Sequence, residues 1–295
     1  MKRGVISLAV FFVVLMLVAC GEEKDTAFTE NSQMDELENN ADEVTPTAPS
    51  TDNEQESLPV NKGIISEQIL EGKEGAIHYS YYLPKNYNED KSFPMMVVMP
   101  GYDMMWFGEE SFGTNLNWRG FLAWTELAED IIVVSAQLTD WGEKSARQAV
   151  ELTEYFLDHF SVDCGRVYAA GYSSGGETMS QAVAMRPDLY AAYLHGFSQW
   201  DGTFETVAEN KVSVYIFIAE NDEYYGSQKA KDAYQGLYKA YQSIGWTQVQ
   251  IDEVLQIEIP NNEYFNSRGI YNYHEGGNIL FEDQSILQWI VEKQK

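Results

Sequence analysis

The pattern with the clearest chemical meaning in this sequence is a serine between two glycines. Residues 171–175 read Gly-Tyr-Ser-Ser-Gly, with Ser173 at the centre. The apolar run 166–170 before them predicts a strand, and the residues after them predict a helix. A serine on such a sharp turn needs small residues two positions away on each side, and its hydroxyl then projects above the sheet. Ser173 is therefore predicted to be a nucleophile. Ser174 is a weaker candidate, because Gly171 and Gly175 do not lie two positions away from it on each side.

A nucleophilic serine needs a base, and the base needs a carboxylate that orients it. Asp222 follows the apolar run 214–219, and its neighbours Glu220 and Glu223 could be mistaken for the acid. Four histidines could be the base. His274 lies in a glycine-rich loop before the last predicted helix, whereas His195 lies within a predicted strand and is the alternative.

The elements that must position these residues alternate between short apolar runs and helical stretches. Such alternation indicates an α/β fold with a mostly parallel sheet. Strands are predicted at 63–70, 76–83, 93–99, 131–136, 166–170, 191–197 and 212–219, with a last one within 248–259. Helices are predicted at 119–129, 143–160, 175–186, 227–244 and 282–293.

The serine turn and this rhythm of elements resemble the α/β-hydrolase superfamily over roughly residues 75–293. More narrowly, the chain resembles secreted esterases of the polyhydroxybutyrate-depolymerase and feruloyl-esterase kind, and the catalytic domain of prolyl-oligopeptidase-type peptidases. The resemblance implies a central, mostly parallel sheet with helices on both faces. It also implies a catalytic triad in the order serine, acid, histidine. By that order Asp222 is the acid and His274 the base, although Ala219 replaces the glycine that usually precedes the acid.

The strand 93–99 runs into Pro100-Gly101-Tyr102, where members of the superfamily carry His-Gly. The resemblance implies that the Tyr102 amide helps to bind a developing oxyanion. The Ser174 amide, at the start of the helix after the nucleophile, is the other expected donor. Pro100 stands in place of that histidine, and this departure weakens the resemblance on which the role of Tyr102 rests.

Several large apolar residues are candidates for a substrate pocket. Met105, Trp106 and Phe107 belong to a loop that is unusually rich in aromatic residues, and they would form a wall or lid. The alternative is that this loop, 102–118, forms a satellite of the core. Trp200 follows a predicted strand and Tyr224 is close to the acid, so both could also face a cleft.

The first sixty residues differ from the rest. An apolar run over 5–18 is too short to span a membrane and fits a signal peptide. It ends in Leu-Val-Ala-Cys-Gly, which resembles a bacterial lipobox and implies lipidation of Cys20. The acidic, polar stretch 22–56 has little to bury and predicts a disordered tether. The predicted organisation is a signal peptide (1–19), a lipidated cysteine with its tether (20–58) and a hydrolase domain (59–295).

The balance of 46 acidic and 19 basic residues gives a formal net charge of −27, which argues against nucleic acid as a partner. No metal-ligand spacing is present in the sequence, and no cofactor is expected. The oligomeric state cannot be read from the sequence.

Together these features predict a lipid-anchored, extracytoplasmic serine hydrolase. The leading hypothesis is a carboxylic-ester hydrolase that acts through an acyl-enzyme on small or polysaccharide-linked esters. The alternatives are a serine peptidase of the prolyl-oligopeptidase-like type and a non-catalytic ligand-binding lipoprotein.

Overall fold

The computed structural model describes residues 62–127 and 130–295. The predicted signal peptide, Cys20 and the tether lie outside these residues. In the part of the chain that is described, no helix is long and apolar enough to cross a bilayer.

One eight-stranded sheet forms the centre of the fold, in the order β1-β2-β4-β3-β5-β6-β7-β8. Strands β1 and β2 are antiparallel to each other, and β2 is antiparallel to β4. All the other neighbouring strands are parallel. The strands are β1 Gly63–Gly72, β2 Gly75–Leu83, β3 Phe93–Met99, β4 Ile132–Gln137, β5 Val162–Tyr172, β6 Ala192–Gly196, β7 Ser213–Phe217 and β8 Leu255–Glu258.

Helices cover the sheet, as the predicted α/β-hydrolase fold requires. They are α1 Arg119–Thr125, α2 Glu143–His159, α3 Ser174–Met185, α4 Phe204–Glu209, α5 Gly226–Ser243, α6 Gln248–Val254, α7 Asn262–Asn266, α8 Gly277–Leu280 and α9 Gln284–Val291. Helices α2 to α5 pack in sequence, each against the next, while α1 packs against α8. Helix α9 packs against β5, β6 and β7. The predicted fold class is confirmed.

The central strands explain why the sequence folds in this way. Every residue of β3 and of β4 is buried. A strand that is covered on both faces reads as a continuous apolar run rather than as an alternation, which is the pattern of Phe-Pro-Met-Met-Val-Val-Met in β3. The predicted bounds of β3 are the observed bounds.

The structure differs from the predictions mainly in short elements. The helix predicted over 119–129 ends at Thr125. Residues 248–259 begin as α6, because the Thr247 side chain and Gln250 form a capping box, and only then continue as β8. A capping box is a local signal for a helix start, and here it precedes the apolar residues that suggested a strand.

The topology gathers the candidate residues at one edge of the sheet. Parallel strands present their carboxyl ends on the same side, where such folds bind ligands. Ser173 directly follows β5, and Asp222 lies five residues after the end of β7. His274 lies in a short 3₁₀ helix, Tyr273–Gly276, on the long connection after β8.

Candidate active site

Ser173 occupies a strained turn between β5 and α3. Its backbone has φ 55° and ψ −127°, in the left-handed half of conformational space that residues with a side chain rarely adopt. Its N–H donates to the carbonyl of Gly196 on β6, at 3.1 Å. The Ser198 hydroxyl donates to the Ser173 carbonyl at 2.7 Å. The neighbouring strand and its loop therefore hold the turn in this conformation.

The glycines around the serine are required by close backbone contacts. A Cβ atom on Gly171 would lie 2.5 Å from the carbonyl oxygen of Gly175, and one on Gly175 would lie 2.3 Å from the carbonyl oxygen of Met99. A Cβ atom on Gly176 would lie 2.5 Å from the Ser198 Cβ. The start of α3 thus packs directly against the end of β3, which brings the loop after β3 next to the serine.

Ser173, His274 and Asp222 form a continuous hydrogen-bonded line. The Ser173 Oγ lies 2.9 Å from His274 Nε2. The other ring nitrogen, Nδ1, lies 2.7 Å from the Asp222 Oδ2. The Asp222 side chain is fully buried and the His274 side chain is 9% exposed. A carboxylate in this position holds the imidazole in the tautomer whose Nε2 can accept the serine proton.

Neighbouring groups fix the acid and the histidine from the backbone side. The Asp222 Oδ1 accepts the N–H groups of Tyr224 at 3.0 Å and Tyr225 at 2.8 Å. The carboxylate of Glu223 accepts the N–H groups of Tyr273 at 3.0 Å and His274 at 2.8 Å. Glu223 therefore anchors the histidine loop, and Asp222 is the carboxylate that faces the ring.

The alternative histidine lies elsewhere. His195 is 1% exposed and its Nδ1 lies 2.7 Å from the Tyr193 hydroxyl. Because that hydroxyl donates to the Gly176 carbonyl at 2.9 Å, the His195 Nδ1 must carry a proton and donate. Burial lowers the pKa of His195 to about 4, so the ring is neutral near pH 7. His195 is part of the packing beneath α3.

Tyr102 and Ser174 both line the cleft at the serine. Each is the first residue of a helical segment, so its N–H has no partner within that segment. Within residues 62–127 and 130–295, neither N–H donates to another protein group. Two backbone donors are therefore available beside the nucleophile.

The cleft at Ser173 has a volume of about 320 Å³. Its wall combines aromatic rings with carboxylates, and no lysine or arginine contributes to it in the described part of the chain. The aromatic residues are Tyr102, Trp141, Tyr172, Tyr224 and Tyr225, and the carboxylates are Asp103, Glu177 and Glu275.

The predicted pocket residues divide into two groups. Tyr224 lines the cleft, and its ring centre lies 4.5 Å from that of His274. Phe107 is 56% exposed at the rim, in edge contact with the Tyr102 ring. Met105, Trp106 and Trp200 do not line the cleft.

Each of these last three side chains packs against other residues instead. Met105 is buried behind Ser174, whose hydroxyl lies 3.6 Å from the Met105 sulfur. The Trp106 ring stacks on that of His78 with a centre-to-centre distance of 3.4 Å. Trp200 donates to the Gly202 carbonyl and packs against the rings of Tyr193 and His195. The placement of these three residues at the pocket is therefore corrected.

The loop after β3 is pinned to the core through one buried side chain. The Gln137 amide donates to the carbonyls of Met104 and Ser111, and its oxygen accepts the Gly113 N–H. Trp118 is 8% exposed and packs against Phe281. The inner part of 102–118 is a satellite of the core, and only its outer residues reach the cleft.

Sequence reasoning gave no role to several cleft residues, among them Trp141 and Glu177. Trp141 follows the end of β4 at the same sheet edge. Tyr225 is next to the acid, which makes it a cleft candidate like Tyr224, and it lines the cleft. Glu177 lies four residues after Ser173, which places it one helical turn away on the same face. Helix α3 is mostly buried. A charged residue in such a helix, one turn after the serine, is the sequence signal that could have identified Glu177.

The fold is that of the α/β-hydrolases, and the line from Ser173 through His274 to Asp222 has the geometry of a serine-hydrolase triad. The profile of the prolyl oligopeptidase family matches residues 135–247. That range contains Ser173 and Asp222 but not His274. No curated protein matches the sequence.

Solved structures with the same fold include enzymes of several kinds. A thermostable esterase aligns with a TM-score of 0.66 and 18% identity, over 79% of this chain and 63% of its own. A putative dipeptidyl aminopeptidase IV from Bacteroides ovatus aligns with a TM-score of 0.56 and 15% identity, over 78% and 36%. A putative dienelactone hydrolase from Klebsiella pneumoniae aligns with a TM-score of 0.51 and 15% identity, over 78% and 100%. The chain thus spans less than two thirds of the length of the first two of these proteins.

Proposed function

We propose that the protein is a carboxylic-ester hydrolase that works through an acyl-enzyme on Ser173. The observation that carries the proposal is the hydrogen-bonded line from Ser173 through His274 to Asp222, with distances of 2.9 and 2.7 Å. A nucleophile in contact with a base, and a base oriented by a buried carboxylate, is the arrangement that acyl transfer needs.

In the proposed reaction, His274 Nε2 takes the proton of Ser173 as Oγ attacks the ester carbonyl carbon. The carbonyl oxygen becomes an oxyanion, which the N–H groups of Tyr102 and Ser174 stabilise. When the intermediate collapses, the bond to the alcohol breaks and His274 donates its proton to the departing oxygen. Water then attacks the acyl-enzyme by the same route in reverse, releasing the acid and restoring Ser173.

The cleft supports an ester of modest size at the reacting centre. A volume of about 320 Å³ is at the small end of ligand sites, so it suits a short acyl or a single aromatic group. The exposed ring of Tyr102 makes edge contacts with the exposed rings of Phe107 and Trp141 at the rim. Such a surface offers a platform for the ring of a sugar or phenol, which is consistent with an ester linked to a polysaccharide as well as with a free small ester.

A serine peptidase is the second candidate. It is favoured by the match of the prolyl oligopeptidase profile to the segment that carries Ser173 and Asp222. The same residues would cleave an amide, with His274 donating its proton to a leaving amine. An ester is the less demanding substrate, because an alkoxide is a better leaving group than an amide anion, so the nitrogen of an amide has to be protonated before it can leave.

One experiment tests both candidates. Wild type and Ser173→Ala, produced from residue 58 onward and as full-length chain, are treated with a fluorophosphonate and then offered p-nitrophenyl esters of increasing length and matched peptide amides. We expect labelling and ester turnover in the wild type alone. Turnover of amides at comparable kcat/KM would replace the esterase by a peptidase. A folded wild type that is not labelled would refute both and leave a ligand-binding protein.

We also propose that the protein is held at the outer face of a bacterial membrane by lipid on Cys20. The proposal rests on the apolar run and the lipobox-like Leu-Val-Ala-Cys-Gly in the sequence. Cells grown with an alkyne fatty acid should yield labelled full-length protein and unlabelled Cys20→Ser. Equal labelling of the two would exclude the anchor.

A further inference from the structure

Glu177 is a carboxylate in an unusual position. It lies on α3, one turn after Ser173, and is only 8% exposed. Within the described residues no cationic side chain forms an ion pair with it. A buried carboxylate without a cation is costly and has to be stabilised by hydrogen-bond donors. A carboxylate kept in this position beside a nucleophile is therefore expected to hold a neighbouring side chain in place.

The strongest partner of Glu177 is Tyr225. The Tyr225 hydroxyl donates to the Glu177 Oε1 at 2.6 Å, and the amide of Gln199 donates to Oε2 at 3.1 Å. Burial raises the pKa of Glu177, and the hydrogen bond from Tyr225 opposes that shift by favouring the charged form. Burial also raises the pKa of Tyr225, so its hydroxyl stays protonated as the donor.

Tyr225 contacts the acid at its other end. Its backbone N–H donates to the Asp222 Oδ1 at 2.8 Å, and its ring centre lies 5.6 Å from that of His274. The position of the Tyr225 backbone therefore decides where the Asp222 carboxylate is held. The chain from Glu177 through Tyr225 to Asp222 links the nucleophile helix to the acid loop.

We infer that Glu177 and Tyr225 are positioning residues, which act by locking the Asp222 loop against α3 so that Asp222 faces His274. This inference rests on the proposed function of the Ser173 site. The Tyr225 hydroxyl also interacts with the Ser173 side chain, but the contact by which Tyr225 holds the acid is its backbone N–H on Asp222. Loss of the Tyr225 hydroxyl frees the loop, the Asp222–His274 hydrogen bond lengthens, and the imidazolium formed in catalysis loses stabilisation.

The test compares Tyr225→Phe, Glu177→Ala and Glu177→Gln with Tyr241→Phe. The last variant is the matched control, because Tyr241 is a buried tyrosine of α5 whose hydroxyl donates to the Val212 carbonyl, away from the cleft. We expect kcat/KM for an ester to fall by about 10- to 100-fold in Tyr225→Phe and Glu177→Ala, since small misplacements of catalytic groups have effects of this order. Glu177→Gln keeps an acceptor oxygen for Tyr225 and should lose less than Glu177→Ala.

One spectroscopic readout separates positioning from a purely structural role. The downfield proton resonance of the His274 Nδ1–H should shift or broaden in Tyr225→Phe and stay unchanged in Tyr241→Phe. This resonance needs no turnover, so it tests the inference even if wild type fails to react with a fluorophosphonate and the proposed function falls. An unchanged resonance in Tyr225→Phe, with only a loss of stability like that of Tyr241→Phe, would overturn the inference.

Discussion

The hydroxyl of Tyr172 donates a 2.6 Å hydrogen bond to the main-chain carbonyl of His274. Tyr172 is the last residue of β5 and directly precedes the serine, so the strand that carries the nucleophile also holds the loop that carries the base. The Tyr172 ring packs closely on Gly277, where a Cβ atom would lie 2.4 Å from the ring. Tyr172 therefore links the nucleophile strand to the histidine loop, which Glu223 also anchors.

Tyr172→Phe should weaken catalysis without preventing folding. The variant loses one hydrogen bond with a net value of about 1 kcal/mol. If that amount is lost from the stabilisation of the transition state, kcat/KM falls about fivefold. The measurement is ester kcat/KM together with the rate of fluorophosphonate labelling, which should fall in parallel. Tyr190→Phe, which removes a buried hydroxyl bonded to Thr153, is the control. Equal rates in Tyr172→Phe and wild type would show that other contacts hold the loop.

Gly175→Ala should prevent or severely impair folding. The added methyl would lie 2.3 Å from the Met99 carbonyl oxygen and 2.4 Å from that of Pro100, and backbone cannot move aside as a flexible side chain can. We expect the free energy of unfolding to fall by about 3 kcal/mol or more. At Gly142 the nearest atom would be 3.8 Å away, so Gly142→Ala should lose no more than about 1 kcal/mol. Urea unfolding of the two variants measures the difference. Similar unfolding midpoints for Gly175→Ala and Gly142→Ala would contradict the prediction.

The three residues of the candidate triad could be predicted because each is marked by a pattern in its own part of the sequence. Ser173 is marked by a glycine pattern whose spacing is dictated by contacts within six residues and with β3. Asp222 and His274 are far apart in sequence, but each follows a strand that the apolar runs predict. Their chain order, taken with the resemblance, was enough to select them over Glu223 and His195.

Other features depend on contacts that no local pattern encodes. Trp200 follows a strand end, yet it turns away from the cleft because its ring fits against Tyr193 and His195. The sequence allows the aromatic loop after β3 to be either a lid or part of the core, and the deciding contact is the Gln137 side chain on the neighbouring strand β4. The Glu177–Tyr225 hydrogen bond joins residues 48 apart in sequence. Side-chain direction and partners at such distances follow only from the packed structure.

The cleft should discriminate between substrates by charge. Asp103, Glu177 and Glu275 line it without a lysine or arginine in the described part of the chain, so a negative group on the substrate is repelled. We expect kcat/KM to be about tenfold higher for the acetate ester of a quaternary ammonium alcohol than for a carboxylate analogue of equal length, with the neutral isostere between them. The ratio should shrink between low and high salt.

Two variants localise the source of this charge preference. Asp103→Asn should reduce the ratio, since Asp103 is exposed at the cleft, whereas Glu209→Gln, an exposed carboxylate of α4 outside the cleft lining, should not. A ratio near one in wild type, or equal effects of the two variants, would show that the cleft carboxylates do not set the preference.

His195 should make the fold sensitive to mild acid. Burial lowers its pKa to about 4 in the folded state, whereas an unfolded histidine titrates near 6.5. Between these values the unfolded state binds more protons, so the contribution of His195 to stability is present above about pH 6.5 and is lost as the pH falls toward 4.

From pH 7 to pH 5 that contribution should fall by about 2 kcal/mol. His195→Asn keeps a donor for the Tyr193 hydroxyl but cannot take up the proton. The variant is therefore expected to be less stable than wild type at pH 7, because a smaller side chain leaves space beneath α3, and to lose less stability on acidification. Urea unfolding of both proteins at pH 7 and pH 5 gives the four free energies. If wild type and variant lose equal stability between the two pH values, a group other than His195 is responsible for the acid sensitivity.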